Sequence, residues 1–191
     1  MIVNREKKYI FIAIAKTACT SIHRRFGLFN DPLPHIYHMH LKDILRYYPE
    51  GKDYYKFSFV RNPYDRLVSA YYNFRFSPEH HQWAYPIYKF DTFRDFVNNL
   101  EDSVCMNFIH LRSQFEFLEV EGKIDLNFIG KFENLQNDFK IVEEHLGYSN
   151  VKLPKTRTSK HPHYTSLYDH DMKKIVQKIY VQDFLNFGYE K

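Results

Sequence analysis

The 191-residue sequence lacks most features that mark membrane, disulfide-rich or nucleic-acid-binding proteins. No stretch reaches the roughly 20 apolar residues that a membrane-spanning helix requires. Two cysteines, Cys19 and Cys105, are too few for a disulfide framework and are typical of a reduced cytosolic protein. No block of five or more lysines and arginines indicates a nucleic-acid tail. The apolar run Tyr9–Ala15 follows two lysines but is too short for a secretory signal, so we expect a cytoplasmic protein.

What is present predicts one α/β domain over residues 1–191. Aromatic residues make up 18% of the chain, which supplies ample bulky material for a core. The net charge of +4 favours anionic ligands without choosing among them. No repeat, low-complexity segment or long linker divides the chain. Short apolar runs alternate with stretches of helical periodicity, the pattern of an α/β fold with a parallel sheet.

The boundaries of several elements follow from this alternation. Three apolar runs predict buried strands, at Tyr9–Ile14, Tyr55–Val60 and Leu126–Phe132. Capping residues and apolar stripes predict helices at Thr20–Phe26, at Leu41–Tyr48, from Pro63 with Asn62 as cap, after the caps Thr92 and Asn134, and over the stripe from Met172 to Tyr180.

A candidate phosphate-binding loop, Ala15–Ser21, joins the first predicted strand to the first predicted helix. Small residues let the backbone turn tightly, so that N–H groups and the helix start can face an anion. Lys16 adds a full charge, and the hydroxyls of Thr17, Thr20 and Ser21 add donors. The segment is not a GxxxxGK[ST] motif, and taken alone it also fits an ordinary turn with a surface lysine.

A second candidate segment, Phe59–Tyr71, carries Arg61 at the end of a predicted strand. Ligands of open α/β sheets collect outside the carboxyl ends of the strands, and an arginine can form two parallel bonds to a phosphate. Ser69, two turns into the following helix, can reach the same group. The alternative is that Arg61 and Arg66 pair with acids on a solvated face.

Together the two segments resemble the sulfotransferase superfamily. Ala15–Ser21 is similar to its 5′-phosphosulfate loop, usually PKTGTTS or PKTAGTS, and the second segment to its 3′-phosphate motif, RNPxDRxxSxY. The carbohydrate (Golgi-type, sulfotransferase family 2) branch commonly reads FVRNPYDRLVSAYY, and Phe128–Leu135 and Asp183–Tyr189 resemble that branch as well. The sequence departs from the pattern at Ala15, where proline is usual, and at Cys19, where glycine or serine is common.

The resemblance implies a P-loop-like three-layer fold, with a central parallel sheet flanked by helices. It also implies the sulfuryl donor 3′-phosphoadenosine-5′-phosphosulfate (PAPS), which leaves as 3′-phosphoadenosine-5′-phosphate (PAP). The residues implied to hold the donor are Lys16, Thr17, Ala18, Cys19, Thr20 and Ser21 at the 5′-phosphate, Arg61 and Ser69 at the 3′-phosphate, and Arg157 and Ser159 in a loop that closes over the nucleotide. His110–Gln114 resembles the family's acceptor segment, which implies that Arg112 and Gln114 bind the acceptor.

The segment from Tyr37 to His40 supplies a candidate base. Transfer to a hydroxyl needs a proton acceptor, and histidine suits this role near neutral pH. Residues i and i+2 of an extended segment share a side, so His38 and His40 can both face the cleft. A similar Tyr-His-x-His occurs in uronyl 2-O-sulfotransferases, and we assign His38 as the base and His40 as its orienter or substitute. The alternatives are a surface pair or half of a metal site, although no second His/Cys pair has suitable spacing.

These assignments predict in-line transfer of a sulfuryl group to a hydroxyl of a carbohydrate, without a metal or nucleic acid. Lys16 would neutralise the charge that develops on the leaving phosphate. Trp83 is either a core residue or a platform for an acceptor sugar, and Glu133 either holds a cation near the site or ends a strand. A P-loop-like kinase and a non-catalytic nucleotide-binding relative are the alternatives. Because Golgi relatives carry an anchor not found here, we expect a cytoplasmic enzyme with a small or nucleotide-linked glycan acceptor.

Overall fold

The computed structural model describes residues 1–26, 38–76, 84–149, 152–153 and 161–191. In chain order the elements are β1 (Ile2–Asn4), β2 (Tyr9–Ile12), α1 (Cys19–Phe26), α2 (Leu41–Tyr47), β3 (Tyr55–Val60), α3 (Pro63–Arg75), α4 (Tyr85–Tyr88), α5 (Phe93–Asn98), α6 (Ser103–Met106), α7 (Gln114–Leu118), β4 (Glu119–Val120), β5 (Lys123–Ile124), β6 (Phe128–Lys131), α8 (Leu135–His145), α9 (His170–Ile179) and α10 (Val181–Phe187). Short 3-10 helices span Pro49–Asp53, Phe132–Asn134 and Tyr164–Ser166.

The elements fall into two compact units, one within Met1–Arg61 and Gln114–Arg157 and the other within Asn62–Ser113 and Thr158–Lys191. Within the described part of the chain, no helix is both long and apolar enough to cross a membrane. The extent of the domain, residues 1–191, stays a prediction.

The first unit is built on a four-stranded sheet in the order β1-β2-β3-β6. β2, β3 and β6 are parallel, with Ile12 beside Ser58 and Val60 beside Lys131 near their carboxyl ends. β1 is antiparallel to β2, which makes the sheet mixed. The predicted α/β fold with a central sheet flanked by helices is confirmed, and the three strands expected from the sequence are its parallel part.

Both faces of this sheet are buried, as a sheet with parallel strands requires. On one face, side chains of α1 and α8 pack against aromatic residues of β2 and β3; the main contributors are Tyr9, Phe11, Ile22, Phe57, Phe59, Phe139 and Val142. On the other face, Ile10 and Ile12 are fully buried, and Gly51 lies against Ile10. Alternate residues of β2 therefore serve opposite faces.

The second unit is helical and has its own aromatic core around α3, α5 and α9. Asn62 caps α3 by accepting a hydrogen bond from Tyr64 N, and Pro63 takes the first helical position, as predicted. The Thr92 side chain caps α5 in the same way, by accepting from Asp95 N. The core is centred on residues such as Tyr71, Phe96, Met172, Val176 and Tyr180.

Buried Arg66 organises one segment of this second unit. Its guanidinium donates to the carbonyls of His110 and Arg112, at 3.3 and 2.6 Å, and lies over the ring of Tyr180. The Tyr180 hydroxyl donates to the intervening carbonyl of Leu111 at 2.6 Å. Three consecutive carbonyls are therefore held by two side chains, and Arg66 does not lie on a solvated face.

Some predicted boundaries differ from the structure for local physical reasons. The strand expected over Tyr9–Ile14 stops at Ile12, where the loop begins. The last helical stripe, from Met172 to Tyr180, corresponds to α9, and a further helix, α10, follows directly after Tyr180. Asn134 precedes α8, but its side chain does not cap the helix and donates instead to Asp138 Oδ1. Asp138 Oδ2 accepts from Lys131 N at 2.6 Å. An acid on the first turn of the helix thus closes the turn from β6.

Gly130 in β6 is required by a close approach between the sheet and α8. A Cβ at this position would lie 2.3 Å from the Phe59 ring and 3.1 Å from Asp138 Cβ. The Phe59 ring has little room to move, because it is fully buried and contacts Phe57, Phe128 and Phe139. Only glycine fits here without displacing the core.

We expect Gly130→Ala to lower the free energy of unfolding by about 1–3 kcal/mol through overpacking, measured by denaturant titration. Phe59→Leu also destabilises the protein because it removes buried volume. The double variant Gly130→Ala/Phe59→Leu should lose less free energy of unfolding than the sum of the losses in the two single variants, since the smaller side chain leaves room for the methyl group. Strict additivity would contradict the proposed clash.

His23 is fully buried on the sheet-facing side of α1, with its edge against Phe11. Nδ1 lies 2.7 Å from Cys19 O and Nε2 lies 3.2 Å from Met1 O. A neutral ring donates to only one carbonyl, and a charged ring could donate to both. Burial outweighs this gain and lowers the pKa of His23 from 6.5 to about 4.

Because the folded state holds His23 neutral, the unfolded state binds the extra proton between about pH 6.5 and 4. Stability that is complete above this window should fall by about 1.4 kcal/mol per pH unit as the pH drops through it. In this pH window, we expect His23→Gln to reduce the slope of unfolding free energy against pH by about 1.4 kcal/mol per pH unit, the contribution of one proton, measured by chemical denaturation. His170→Gln, at an exposed histidine, is the control, and an unchanged slope in His23→Gln would contradict the assignment.

Candidate active site

A tight loop, Ala13–Ala18, leaves the carboxyl end of β2 and enters α1. Lys16 and Ala18 both adopt the left-handed conformation, with φ of 69° and 66°. For residues other than glycine this conformation costs about 1–2 kcal/mol each. Such strain persists where the surroundings over-determine the backbone, and it concentrates at functional sites. The loop is therefore held by specific contacts.

Those contacts satisfy four carbonyl groups of the loop and that of Ile12, the last residue of β2. In chain order, the bonds are Ser58 Oγ to Ile12 O at 2.7 Å, His38 Nδ1 to Ala13 O at 2.8 Å, Thr17 Oγ1 to Ile14 O at 2.9 Å, Arg61 Nη1 to Lys16 O at 3.1 Å, and Ser21 N and Ile22 N to Ala18 O at 2.9 and 3.2 Å. A carbonyl oxygen repels an anion. Since these five oxygens are occupied by donors, the loop is compatible with a bound phosphate.

Arg61 follows β3 directly and is 8% exposed, so it does not lie on a solvated face. Its guanidinium carbon lies 4.1 Å from the centroid of the Phe132 ring, which follows β6. The contact with the Phe132 ring and the bond to the Lys16 carbonyl together fix the position of the cation. The geometry brings Lys16 and Arg61, the two predicted phosphate anchors of this unit, to the same loop.

Gln114 also contacts Arg61, but through the backbone. It is fully buried, and its amide accepts from Arg61 N at 2.9 Å and donates to Arg61 O at 2.8 Å. The resemblance implied that Gln114 binds the acceptor. These two bonds hold the end of β3, and acceptor binding by Gln114 stays a prediction.

His38 lies beside the loop and has a defined tautomer. Because the Ala13 carbonyl can only accept, the 2.8 Å contact puts the ring hydrogen on Nδ1. In the neutral ring the lone pair is then on Nε2. A histidine oriented in this way by a backbone carbonyl has the form that a general base needs.

His40, two residues further on, has different partners. Its ring stacks on Phe117 with centroids 4.7 Å apart and planes 12° from parallel. Its Nδ1 lies 3.5 Å from Asp43 Oδ2, one turn along the adjoining helix. These are the contacts of a residue that joins α2 to α7, so the structure separates the environments of the two histidines.

The other loop residues differ in how much side chain they present. Thr17 is fully buried and its hydroxyl hydrogen is used within the loop, so a contribution to phosphate binding would come from its backbone. Cys19, the first residue of α1, and Ser21 are buried at 8% and 5% exposure, whereas Lys16 and Thr20 are half-buried.

The remaining predicted site residues belong to the second unit, to the 3-10 helix after β6 or to parts of the chain outside the described residues. Ser69 is buried on α3 and Arg112 is half-buried after α6, both in the second unit. Trp83, Arg157 and Ser159 lie outside the described residues. Glu133 is exposed in the 3-10 helix after β6. Across the described ranges, no group of three His, Cys, Asp or Glu side chains is arranged to hold a metal ion.

Sequence reasoning missed two supporting residues and the contacts of a third. The strand YKFSFV is apolar except at its lysine and at Ser58. A serine within a buried strand could have indicated a hydrogen bond to a neighbouring strand. Phe132 gave no such signal, because an aromatic residue after a strand is ordinary, and nothing in the sequence indicated that Gln114 binds the backbone of Arg61. Their roles depend on which strands are neighbours in the sheet.

Comparisons with known proteins agree with the motifs. A family model described as "Sulfotransferase family" matches residues 1–190. Carbohydrate sulfotransferase 14 of Danio rerio is 26% identical over 229 aligned positions, which cover 99% of this chain and 62% of the relative. The chain thus spans less than two thirds of the length of this relative. No solved structure gives a significant match.

Proposed function

The chain belongs to the sulfotransferase family, and on this premise we propose that it transfers a sulfuryl group from PAPS to a hydroxyl of a carbohydrate, with His38 as the base. The observation that carries the proposal is the convergence of two side chains on one strained loop. The guanidinium of Arg61 and the imidazole of His38 each bond a carbonyl of Ala13–Ala18. An anion-binding group and a proton acceptor therefore flank the same backbone.

The donor would be held at both of its phosphate groups. The loop, with Lys16 and the start of α1, suits the 5′-phosphosulfate, because backbone N–H groups and a helix N-terminus favour negative charge. Arg61 suits the 3′-phosphate, since a guanidinium can give a phosphate two parallel hydrogen bonds. Roles for Ser69, Arg157 and Ser159 at the 3′-phosphate and over the nucleotide are part of the same proposal.

The reaction is a single displacement. His38 Nε2 takes the proton of the acceptor hydroxyl, and the hydroxyl oxygen forms a bond to sulfur. The bond between sulfur and the bridging oxygen breaks, and its electron pair stays on the 5′-phosphate of PAP. Lys16 neutralises the charge that grows on that phosphate, an interaction that is stronger in the transition state than in the ground state.

A carbohydrate acceptor is supported by the name of the Danio rerio relative and by the motifs of the carbohydrate branch. Arg112 and Trp83 are the residues we assign to it. A cytoplasmic location and a small or nucleotide-linked glycan stay predictions. His40 would support His38 through the packing of its segment.

We expect PAP to raise the melting temperature of the protein far more than ADP or ATP does, because Arg61 recognises a 3′-phosphate that ADP and ATP lack. A ligand at 100 times its Kd stabilises the folded state by about 2.7 kcal/mol. In thermal-shift measurements, Arg61→Ala should lose the preference for PAP, whereas Arg24→Ala, at an exposed arginine of α1, should keep it. Equal shifts from PAP and ATP would refute the donor and favour a kinase.

We expect His38→Ala to lower kcat by about 10²- to 10⁴-fold while PAP still binds, because the substitution removes the proton acceptor and only one of the contacts that hold the loop. The assay is transfer of labelled sulfate from PAPS across a panel of sugars, phenols and alcohols. The kcat of the unaltered enzyme should rise with pH as the base becomes neutral, and His38→Ala should lack that rise. His40→Ala should retain the rise of kcat with pH and should be more active than His38→Ala. A near-normal kcat in His38→Ala would show that another residue is the base.

A further inference from the structure

We infer that Gln114 is a positioning residue for the 3′-phosphate site: it sets the affinity for the donor by fixing the backbone of Arg61 and makes no contact with the nucleotide itself. This inference rests on the proposed function. Its direct support is the pair of hydrogen bonds between the Gln114 amide and both polar groups of the Arg61 backbone, at 2.9 and 2.8 Å.

The Arg61 backbone needs such a partner because it lies just beyond the sheet. The ladder between β2 and β3 ends with Ile12 beside Ser58, and the ladder between β3 and β6 ends with Val60 beside Lys131. One residue later, Arg61 is buried and the chain must turn to reach α3. Buried backbone N–H and C=O groups that lack a partner are costly.

The Gln114 side chain has the same donor and acceptor as a peptide group. By pairing with Arg61 it acts as one further rung of the sheet, supplied by the first residue of α7. The side chain is fully buried, so water does not compete for these bonds. This arrangement extends the ordered backbone of β3 by the one residue that bears the cation.

Fixing this backbone also fixes where the cation can go. The direction of the Cα–Cβ bond of Arg61 follows from its backbone, and from there the guanidinium reaches the Phe132 ring at 4.1 Å and the Lys16 carbonyl at 3.1 Å. If the backbone shifts, these contacts and the aim of the guanidinium shift with it. In enzymes, a misplacement of about 1 Å can lower the rate by about 10²-fold, and donor affinity should be similarly sensitive to the position of the guanidinium.

The test is a double-mutant cycle on nucleotide affinity, measured by isothermal titration calorimetry with PAP and with ADP. Gln114→Leu should weaken PAP binding by about 10- to 100-fold and leave ADP binding nearly unchanged. In an Arg61→Ala background, Gln114→Leu should have little further effect, because its influence passes through Arg61. If Gln114 had a merely structural role, Gln114→Leu would weaken the binding of PAP and ADP alike and would have the same effect with and without Arg61→Ala. That result would overturn the inference.

Gln114→Glu provides a second readout that also serves if Gln114→Leu does not fold. An ionised carboxylate can accept from Arg61 N, but its other oxygen faces the Arg61 carbonyl, whereas a protonated carboxyl can accept from one group and donate to the other. PAP affinity of Gln114→Glu, relative to that of the unaltered protein at the same pH, should therefore recover as the pH falls. A ratio that is independent of pH overturns the inference.

Gln136→Leu is the matched control, since Gln136 also bonds a backbone group of the first unit, accepting from Leu153 N at 3.2 Å. It should leave the preference for PAP over ADP intact, and loss of that preference would show a general effect of removing such bonds.

Failure of the inference is separable from failure of the proposed function. If Arg61→Ala itself leaves PAP affinity unchanged, the donor assignment fails; if it weakens PAP and the cycle is additive, only the role of Gln114 fails.

Discussion

The structure depends on how the backbone is satisfied where the parallel strands end. Inside the sheet each strand provides hydrogen-bond partners for its neighbours, but beyond its carboxyl edge the chain is still buried and has no ladder. Side chains take over this task around the loop after β2 and at the residue after β3. Ser58, Thr17, His38 and Gln114 each bind a backbone group that the sheet cannot reach.

The same contacts position the chemical groups of the candidate site. The bond that satisfies the Ala13 carbonyl also sets the tautomer of His38, and the bond that satisfies the Lys16 carbonyl also locates the guanidinium of Arg61. Completing the backbone and arranging the site are therefore one process. A substitution at either residue removes a backbone contact together with a group of the candidate site, so its effects on stability and on activity must be measured separately.

The sequence predicted the fold through the features that depend on local pattern. The three parallel strands were visible as apolar runs, and Asn62 and Thr92 were recognisable caps because capping needs only neighbouring residues. The short edge strand Ile2–Asn4 and the role of Asp138 were not predictable, since three residues give no periodicity and the acid acts across a turn.

For the candidate site, the motifs predicted the loop and Arg61, but could not separate His38 from His40 or show that Gln114 binds the backbone of Arg61. Those distinctions come from partners far away in sequence, such as Ala13 for His38, Phe117 for His40 and Arg61 for Gln114. The environment of Ser69 at the 3′-phosphate, and those of Trp83, Arg157 and Ser159, stay predictions.

The left-handed residues of the loop have a consequence for the entropy of ligand binding. Glycine at position 18 would adopt this backbone without strain, but it would also sample many other conformations when no ligand is present. Alanine, with a φ of 66° imposed by its surroundings, has far fewer alternatives. The conformational cost of forming the loop is thus met when the protein folds, and little ordering would remain for the proposed binding of an anion.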